Sequence, residues 1–435
     1  MSLQLMLKSV VEHIPYEIGS VFKYIPFNVR LGDEYTKFLN VQSEMKNMGQ
    51  VEKEKYVISH FSKIFNYAKT HFSFYEDLYR RCEVYDLKIN SIEDIERLPI
   101  IDKQMIRSHL HEFRGALLLN TGGTSGEPFQ FYVDKNAFAR EWAHMHTIWF
   151  MKGYKPADLK LTLRGKNLRT KSYRYNPVHN EYIINSYLKV GDYKEILLDL
   201  CRKRTIRYLH GYPSAIYGFL KEIDECMSND EKEDIRRNLK ACFLSSEYPA
   251  PYMTDYIKQH WNLDWISWYG HSEMCILAYD ESKNNQYKPF LSYGLAENVD
   301  GHLVGTSFHN FDMPLIRYDT GDLIASENRK GQLMEAFSIT QGRNADYIID
   351  KKGKAIPLTA LIFGRHHKLF GMINYIQISQ KENGGLVTFI ISTSCNYSKE
   401  ELQQAMDLSN LDIDFDFQIV DKPVKTKAGK VKLKI

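Results

Sequence analysis

The apolar positions of this chain keep a helical spacing first, then alternate between strand and helix patterns, and end in period-two runs. Residues 1–50 are rich in aromatics and only weakly patterned. From Lys53 to Tyr79 the spacing is helical: Val57, Phe61, Ile64 and Ala68 recur at intervals of three and four and share one face. Ser91 with Asp94 three residues on predicts a capping box, and Pro99 ends the short helix it opens. Apolar and alternating runs at 116–119 and 129–133 predict two strands flanking Thr121-Gly122-Gly123-Thr124-Ser125-Gly126-Glu127-Pro128. A helix follows from Asn136 to Met151.

From Leu159 strands and helices alternate. Leu159–Gly165, Ile206–Tyr212, Ala241–Pro249 and Leu263–Gly270 read as strands or strands with their turns. Between them lie helical patterns at Tyr193–Arg204, Pro213–Cys226 and Pro251–Trp261, with Pro213 well placed in a first turn. Crossovers of this length imply parallel pairing, and ligands bind such sheets at the carboxyl ends of the strands. His210-Gly211-Tyr212, Ser245-Ser246-Glu247 and Tyr269-Gly270-His271-Ser272-Glu273 all fall at that edge. Residues 285–339 are rich in strands and turns. After Gly342-Arg343 the chain turns to a hairpin at 347–358, a helix from Thr359 to Leu369 and a second hairpin turned by Asn383-Gly384-Gly385. A helix capped by Ser398 and a last alternating strand, 412–420, complete it. The expected fold class is α/β: a large N-terminal domain, 1–342, with sheets flanked by helices, and a small α+β domain, 343–435.

Composition narrows the class. A chain of 435 residues, 43% hydrophobic and 26% charged, has ample core for more than one domain. Its 57 basic and 54 acidic residues leave a net charge of +3, which gives no reason to expect nucleic acid or an anionic membrane as principal partner. The six cysteines are scattered without a C-x-x-C pair, which argues against a disulfide framework or thiolate zinc site and fits a reducing cytoplasm. The N-terminal apolar stretch is interrupted by Lys8, Glu12 and His13, too short and too charged for a signal peptide or a membrane span. A cytoplasmic globular protein is expected.

The glycines of the 121–128 segment allow positive φ and exposed N–H groups, and Thr and Ser add donors, a combination that suits phosphate. It is not the strand-to-helix NTPase loop, because Glu127 and Pro128 follow Gly126 where Lys and Ser/Thr would stand. Other elements follow in order: Tyr269-Gly270-His271-Ser272-Glu273, then Arg317-Tyr318-Asp319-Thr320-Gly321-Asp322, then Gly342-Arg343-Asn344-Ala345-Asp346, then Lys425-Thr426-Lys427-Ala428-Gly429-Lys430. Singly they read as a strand end, a surface turn, a linker and a solvated basic tail.

In this order and at these intervals they resemble the adenylate-forming enzymes, the acyl-coenzyme A synthetase superfamily, from about Leu98 to the C-terminus. Within it the chain is similar to the phenylacetate–coenzyme A ligase family in its capsular-polysaccharide-biosynthesis branch, on the strings IDKQMIRSHL, HGYPSAIYGFL, FLSSEYP, YGHSEMCILAYDE and GTSFHNFDMPLIRYDTGDL. The resemblance implies ATP-dependent formation of an acyl adenylate, with Mg²⁺ as cofactor. Transfer to coenzyme A, a carrier pantetheine, or a sugar amine or hydroxyl would follow. Thr121, Gly122, Gly123, Thr124, Ser125 and Gly126 would hold the β- and γ-phosphates, with Ser246 and Glu247 also at the nucleotide. Tyr269 would stack on adenine, Ser272 would approach a phosphate, and Glu273 would ligate Mg²⁺. Asp322 would accept the ribose hydroxyls and Arg343 would position the nucleotide. Lys430 would stabilise charge developing at the α-phosphorus, and with Glu273 it forms the implied catalytic pair. Arg343 and Ala345 would form the hinge of a mobile C-terminal domain.

The pattern departs from the family at Glu127, where Lys is common, and at Ala345, where Asp or Lys is common. Some relatives of this branch carry a cysteine cluster that looks like a zinc site. Only Cys275 lies in the corresponding interval, so no zinc is expected. His109/His111 and His144/His146 are His-x-His pairs without a third ligand and read as surface histidines. No Gly-x-Ser-x-Gly elbow or Cys/His nucleophile pattern occurs. His210, Tyr212, Ser245 and His271 are candidates for the wall of the acid pocket. A nucleotidyltransferase acting on a small-molecule hydroxyl, or a silent binding protein of this fold, are the other readings. Intact Lys430, Glu273 and Asp322 count against the silent one.

Overall fold

The structure is a computed structural model that describes residues 14–120, 130–164, 168, 170–185, 188–326, 331–341, 347–353, 355–358, 368–393, 395–406, 408, 411–424 and 433–435. It divides into two compact units. One comprises Met1–Tyr24, Tyr154–Ile266 and Asn344–Ile435, the other Ile25–Gly153 and Ser267–Arg343.

The first unit is built on a parallel sheet. Strand Leu159–Leu163 pairs in parallel with both Glu181–Ile184 and Ile206–Gly211, and the latter pairs in parallel with Ala241–Ser245. Leu161, Leu163, Leu209, Cys242 and Leu244 form a core with Ile216, Leu220 and Ile223 of the helix Pro213–Cys226. Pro213 opens that helix in its first turn, as the sequence predicts. At Gly211 a Cβ would collide with the carbonyl oxygen of Leu163, so only glycine admits this approach of the two strands. An antiparallel edge strand, Tyr173–Asn176, pairs with Glu181–Ile184 and was not expected from the sequence. Its four residues, Tyr173-Arg174-Tyr175-Asn176, are too short a run and lack any aliphatic position to mark a strand, and Asn180 makes the turn with φ 45°.

Residues from 344 onward form a smaller layer in the same unit. Ile373–Gln380 and Val387–Thr393 make the predicted antiparallel hairpin, and Phe415–Ile419 adds in parallel. Ser398 accepts from the Glu401 amide in a capping box and opens the helix Lys399–Ala405. Ile378, Phe389, Ile391, Leu402 and Phe417 form its core. Of the helix expected over Thr359–Leu369, residues 359–367 lie outside the described residues, and Lys368–Gly371 is a 3-10 turn. Tyr217 and Gly218 of the helix Pro213–Cys226 meet this layer: the Tyr217 hydroxyl donates to Ile373 O at 3.4 Å, and Tyr375 lies over Gly218.

The second unit carries a four-stranded antiparallel sheet in the order Gly294–Val299, His302–Ser307, Tyr318–Ala325, Ser338–Gln341. Leu117–Asn120 and Gln130–Val133 pair antiparallel, as the runs flanking the Gly-rich segment predict. Val57, Phe61, Ile64 and Ala68 are fully buried in its core. The helical stretch expected over 53–79 is two helices, Gln50–His71 and Ser73–Arg81, because Phe72 takes extended angles between them.

Helix Asp33–Asn47 was not foreseen. It buries Tyr35, Phe38, Gln42 and Met45 at helical spacing, but the polar Gln42 interrupts the apolar pattern. The helix Ala137–Phe150 corrects a second expectation. His144 and His146, read as surface residues, are both 0% exposed. This helix is buried on nearly every side, so there is no solvent face for them to occupy. The two rings diverge as i,i+2 residues must. His144 Nε2 meets Gln42 Nε2 at 2.7 Å, whereas His146 Nδ1 meets the Tyr35 hydroxyl at 2.7 Å. Burial pushes the His144 imidazole down to about 4, so it stays uncharged at neutral pH. No described helix is long and apolar enough to cross a membrane.

Candidate functional site

The strand Asp264–Gly270, which belongs to the second unit from Ser267 onward, carries Tyr269 near its end and leads into the turn beyond it. Met274 holds that turn at φ 56°, a left-handed conformation that a non-glycine residue adopts at a cost of order 1–3 kcal/mol. Glu273, at its centre, is 4% exposed. His271 Nδ1 lies 3.2 Å from Glu273 Oε2, and the Ile276 amide donates to His271 Nε2 at 3.3 Å. Nε2 is therefore the acceptor, which assigns the proton to Nδ1, directed at the carboxylate. The Tyr318 hydroxyl donates to Glu273 Oε1 at 3.2 Å, and the Lys103 ammonium stands 3.5 Å from the same oxygen. Burial opposes ionisation of Glu273, but the hydrogen bond from His271, the electrostatic pull of the same imidazole and the charge of Lys103 outweigh it and bring the carboxyl down to about 2. A carboxylate with two partners on its four lone-pair directions, next to one cation, is ionised at neutral pH and retains acceptor capacity.

Asp322 lies in the same unit within the strand Tyr318–Ala325, where the sequence predicts a turn. The pairing with His302–Ser307 is irregular between Asp319 and Leu323, and Gly321 there takes φ 77°. The Tyr269 hydroxyl donates to Asp322 Oδ2 at 2.6 Å. Burial raises the Tyr269 phenol well above its usual range and the adjacent Asp322 charge adds to it, so the phenol keeps its proton and acts as donor. The irregular stretch is held locally and by its neighbour: Asp319 Oδ1 accepts from the Gly321 amide at 2.8 Å, and the Thr320 hydroxyl donates to Leu303 O of the adjacent strand at 2.8 Å. Ser272 is exposed.

Sequence reading missed Lys103, Tyr318 and Glu141 in this unit. Lys103 lies in IDKQMIRSHL and Tyr318 in the 317–322 motif, but nothing in either string marks a contact to Glu273. Glu141 accepts from the Tyr293 hydroxyl at 2.5 Å, and burial pushes its carboxyl up. Beside it, Arg140, Met274, Tyr293 and Ser307 line a cavity of about 20 Å³, room for about one water. Ser307 Oγ is buried there without a partner among the described residues.

The first unit holds the other predicted positions. His210 lies within strand Ile206–Gly211 with Tyr212 just beyond it. Ser245 ends strand Ala241–Ser245, and Ser246 follows at φ 66°. Glu247 Oε2 accepts from the Ser214 amide at 3.3 Å, in the first turn of the helix Pro213–Cys226. Ser245 Oγ is buried without a partner among the described residues. Burial drives the His210 imidazole well below its usual range, reinforced by the Arg164 charge, so it is neutral. Beside these strands runs a buried network that the sequence did not reveal. Lys160 stands 3.7 Å from Glu181, which also accepts from Thr162 Oγ1 at 2.6 Å and Asn176 Nδ2 at 2.8 Å.

Thr121, Gly122, Gly123, Thr124, Ser125, Gly126, Glu127, Arg343, Ala345 and Lys430 lie outside the described residues. Among the described residues, no group of three or more His, Cys, Asp and Glu side chains is placed to hold a metal ion.

No family model matches the chain. It is 21% identical to Protein CapK of Staphylococcus aureus, over 99% of each chain. Among solved structures it superposes on 2-hydroxyisobutyryl-CoA ligase, in the postadenylation state in complex with R3-HIB-AMP, with a TM-score of 0.65. That match has 16% identity and covers 89% of this chain and 90% of the other. It also superposes on the GH3.15 acyl acid amido synthetase with a TM-score of 0.56 and 11% identity, over 88% of this chain and 90% of the other.

Proposed function

We propose that this chain, which has the fold of the adenylate-forming ligases, activates a carboxylic acid with ATP and passes the acyl group to a second substrate. The observation that carries this reading is the pair of carboxylates in one unit. Glu273 is ionised and buried beside Lys103, and Asp322 is held by the Tyr269 phenol.

A carboxylate oxygen of the acid attacks the α-phosphorus of ATP, the bond from that phosphorus to the bridging oxygen breaks, and pyrophosphate leaves. Asp322 accepts the ribose hydroxyls, and Tyr269 presents its ring to adenine while its hydroxyl fixes the Asp322 carboxylate. Backbone and hydroxyl donors of the 121–126 segment hold the β- and γ-phosphates, with Ser272, Ser246, Glu247 and Arg343 at the nucleotide. Lys430 meets the charge that develops on the attacked phosphorus. Glu273 would hold Mg²⁺. Its spare acceptor capacity fits a hard cation that is ligated chiefly by phosphate oxygens and one or two carboxylates, and the ion supplies neutralisation of phosphate charge. Residues 343–435 act as a mobile domain that turns about Arg343 and Ala345.

In the second half-reaction a thiol, amine or hydroxyl attacks the acyl carbon, the bond from that carbon to the phosphate oxygen breaks, AMP leaves, and the nucleophile's proton passes to solvent. Coenzyme A is the acceptor favoured by the likeness to a CoA ligase, and an amine is supported by the likeness to an amido synthetase. The likeness to Protein CapK is in keeping with the capsular-polysaccharide branch of the phenylacetate–coenzyme A ligase family, in which the acceptor would be a sugar amine or hydroxyl. His210, Tyr212 and Ser245 of the first unit are the walls proposed for the acid pocket.

The test is pyrophosphate release from ATP and Mg²⁺ across a panel of carboxylic acids, with and without coenzyme A. Release that depends on one class of acid supports the reading. Release that follows an added alcohol with no carboxylate favours a nucleotidyltransferase.

A further inference from the structure

Glu273 Oε1 receives both Lys103 and Tyr318, which lie far apart in the sequence. Both are tied to Arg317. The Arg317 guanidinium forks onto Glu297, with Nε at 3.1 Å from Oε1 and 3.3 Å from Oε2, and its second terminal nitrogen 3.1 Å from Oε1. The remaining terminal nitrogen donates to the carbonyl oxygens of Glu96, at 2.8 Å, and Leu98. The same residue continues the hold through its backbone. Arg317 O accepts from the Ile101 amide at 3.0 Å, and Ile101 O accepts from the Asp319 amide at 2.9 Å, so Ile101 bridges Tyr318 in parallel. Immediately after Ile101, Asp102 caps the helix Lys103–Ser108 by accepting from the Met105 amide at 2.8 Å.

Arg317 thus grips the segment 96–101 by side chain and backbone together. The segment ends in the helix cap that sets Lys103, while the residue next to Arg317 supplies the Tyr318 hydroxyl. Arg317 is 4% exposed and holds φ at 49°, and its amide donates to Thr306 Oγ1 at 2.8 Å. A left-handed arginine and a buried ion pair are both unfavourable for stability when set against an apolar pair in relaxed backbone. Their shared geometric effect is to aim two groups at one oxygen.

We propose that Arg317 is a positioning residue for adenylate formation, acting through Lys103 and Tyr318 to fix the Glu273 carboxylate. This rests on the reading of Glu273 given above. The planar fork is essential to it, because lysine keeps the charge but cannot bond the Glu297 carboxylate and two carbonyls at once.

A mutant cycle on adenylate formation tests it. Arg317→Lys is expected to lower the rate by about tenfold in the parent, but by less than about twofold in a Lys103→Ala, Tyr318→Phe background, since coupled residues lose their effects together. Equal losses in both backgrounds would mean that Arg317 supports the fold alone, and would overturn the proposal. If Arg317→Lys does not fold, Glu297→Gln, which removes the charge that seats the fork, replaces it in the same cycle with the same expected and opposing results. Hydrogen exchange over residues 98–108 is read in parallel and does not depend on catalysis. Faster exchange in the variant is expected, and unchanged exchange overturns the proposal even if the parent adenylates no acid. Absence of acid-dependent pyrophosphate from the parent counts against the proposed function, whereas additive losses in an active parent count against Arg317.

Discussion

The phenol of Tyr269 donates to Asp322 Oδ2 at 2.6 Å, so one side chain both offers a ring face and fixes the carboxylate assigned to the ribose. Asp322→Ala should weaken ATP binding by about 1.5–3 kcal/mol, the range for removing a charged acceptor. Tyr269→Phe keeps the ring and loses one hydrogen bond, so about 0.5–1.5 kcal/mol is expected. Calorimetric titration with ATP and Mg²⁺ measures both. Unchanged binding in Asp322→Ala removes the ribose assignment.

Glu273 supplies a pH signature. Its carboxyl lies at about 2 in the folded chain against an ordinary value of 4.5. A depressed carboxyl contributes stability above its unfolded value, and that contribution is lost as pH falls from about 4.5 toward 2. Glu273→Gln should therefore cost on the order of 3 kcal/mol at pH 7, with the gap from the parent narrowing below about pH 4.5. Urea unfolding of both proteins at neutral and acid pH checks this. A gap that stays constant with pH would show that the hydrogen bonds matter and the charge does not.

Gly218 sits where Tyr375 crosses the helix Pro213–Cys226. A Cβ there would collide with the Tyr375 hydroxyl and lie 3.0 Å from its ring carbon Cζ. Alanine improves helix propensity by about 1 kcal/mol, but overpacking costs about 1–3 kcal/mol and outweighs it. Gly218→Ala should lower the melting temperature, and adding Tyr375→Phe, which removes the colliding oxygen, should restore most of the loss. A double variant no more stable than Gly218→Ala would show that the hydroxyl is not the obstacle.

Lys430 separates the two half-reactions. A cation that meets its partner mainly in the transition state affects rate more than ground-state affinity. Lys430→Ala should cut adenylate formation by roughly 10²-fold or more, with ATP affinity within a few-fold, by analogy with loss of a preorganised donor. Transfer from a supplied acyl adenylate should largely survive, and Lys425→Ala and Lys427→Ala should behave as the parent. Adenylate formation at the parental rate in Lys430→Ala would remove the tail from the mechanism.

The sequence reveals what is periodic or local. Val57, Phe61, Ile64 and Ala68 mark their helix because every buried position is apolar, and Ser398 marks its cap because the partner is three residues away. The alternation of strands and helices from Leu159 gives the parallel sheet. Helix Asp33–Asn47 escapes because Gln42 stands at a buried position, where its amide serves His144. His144 and His146 look like surface residues because burial of a polar ring depends on partners that sequence spacing does not reveal. The segments bearing Glu273 and Asp322 stand out as motifs, although the second is strand and not the expected turn, whereas the groups that tune them do not. Lys103 reaches Glu273, and Arg317 reaches Glu297, only through long-range folding. The Lys160–Glu181 pair is hidden similarly, since Lys160 sits between two leucines of one strand and Glu181 opens another, and only their pairing brings the two together.

The central claim is reversible formation of an acyl adenylate, and exchange of labelled pyrophosphate into ATP measures that step without any acceptor. The account predicts exchange that requires Mg²⁺ and a particular class of carboxylic acid, is unaffected by omission of coenzyme A, and collapses in Glu273→Gln and Lys430→Ala. Exchange that proceeds equally without a carboxylic acid, or ATP binding with no exchange across the whole acid panel, would contradict it.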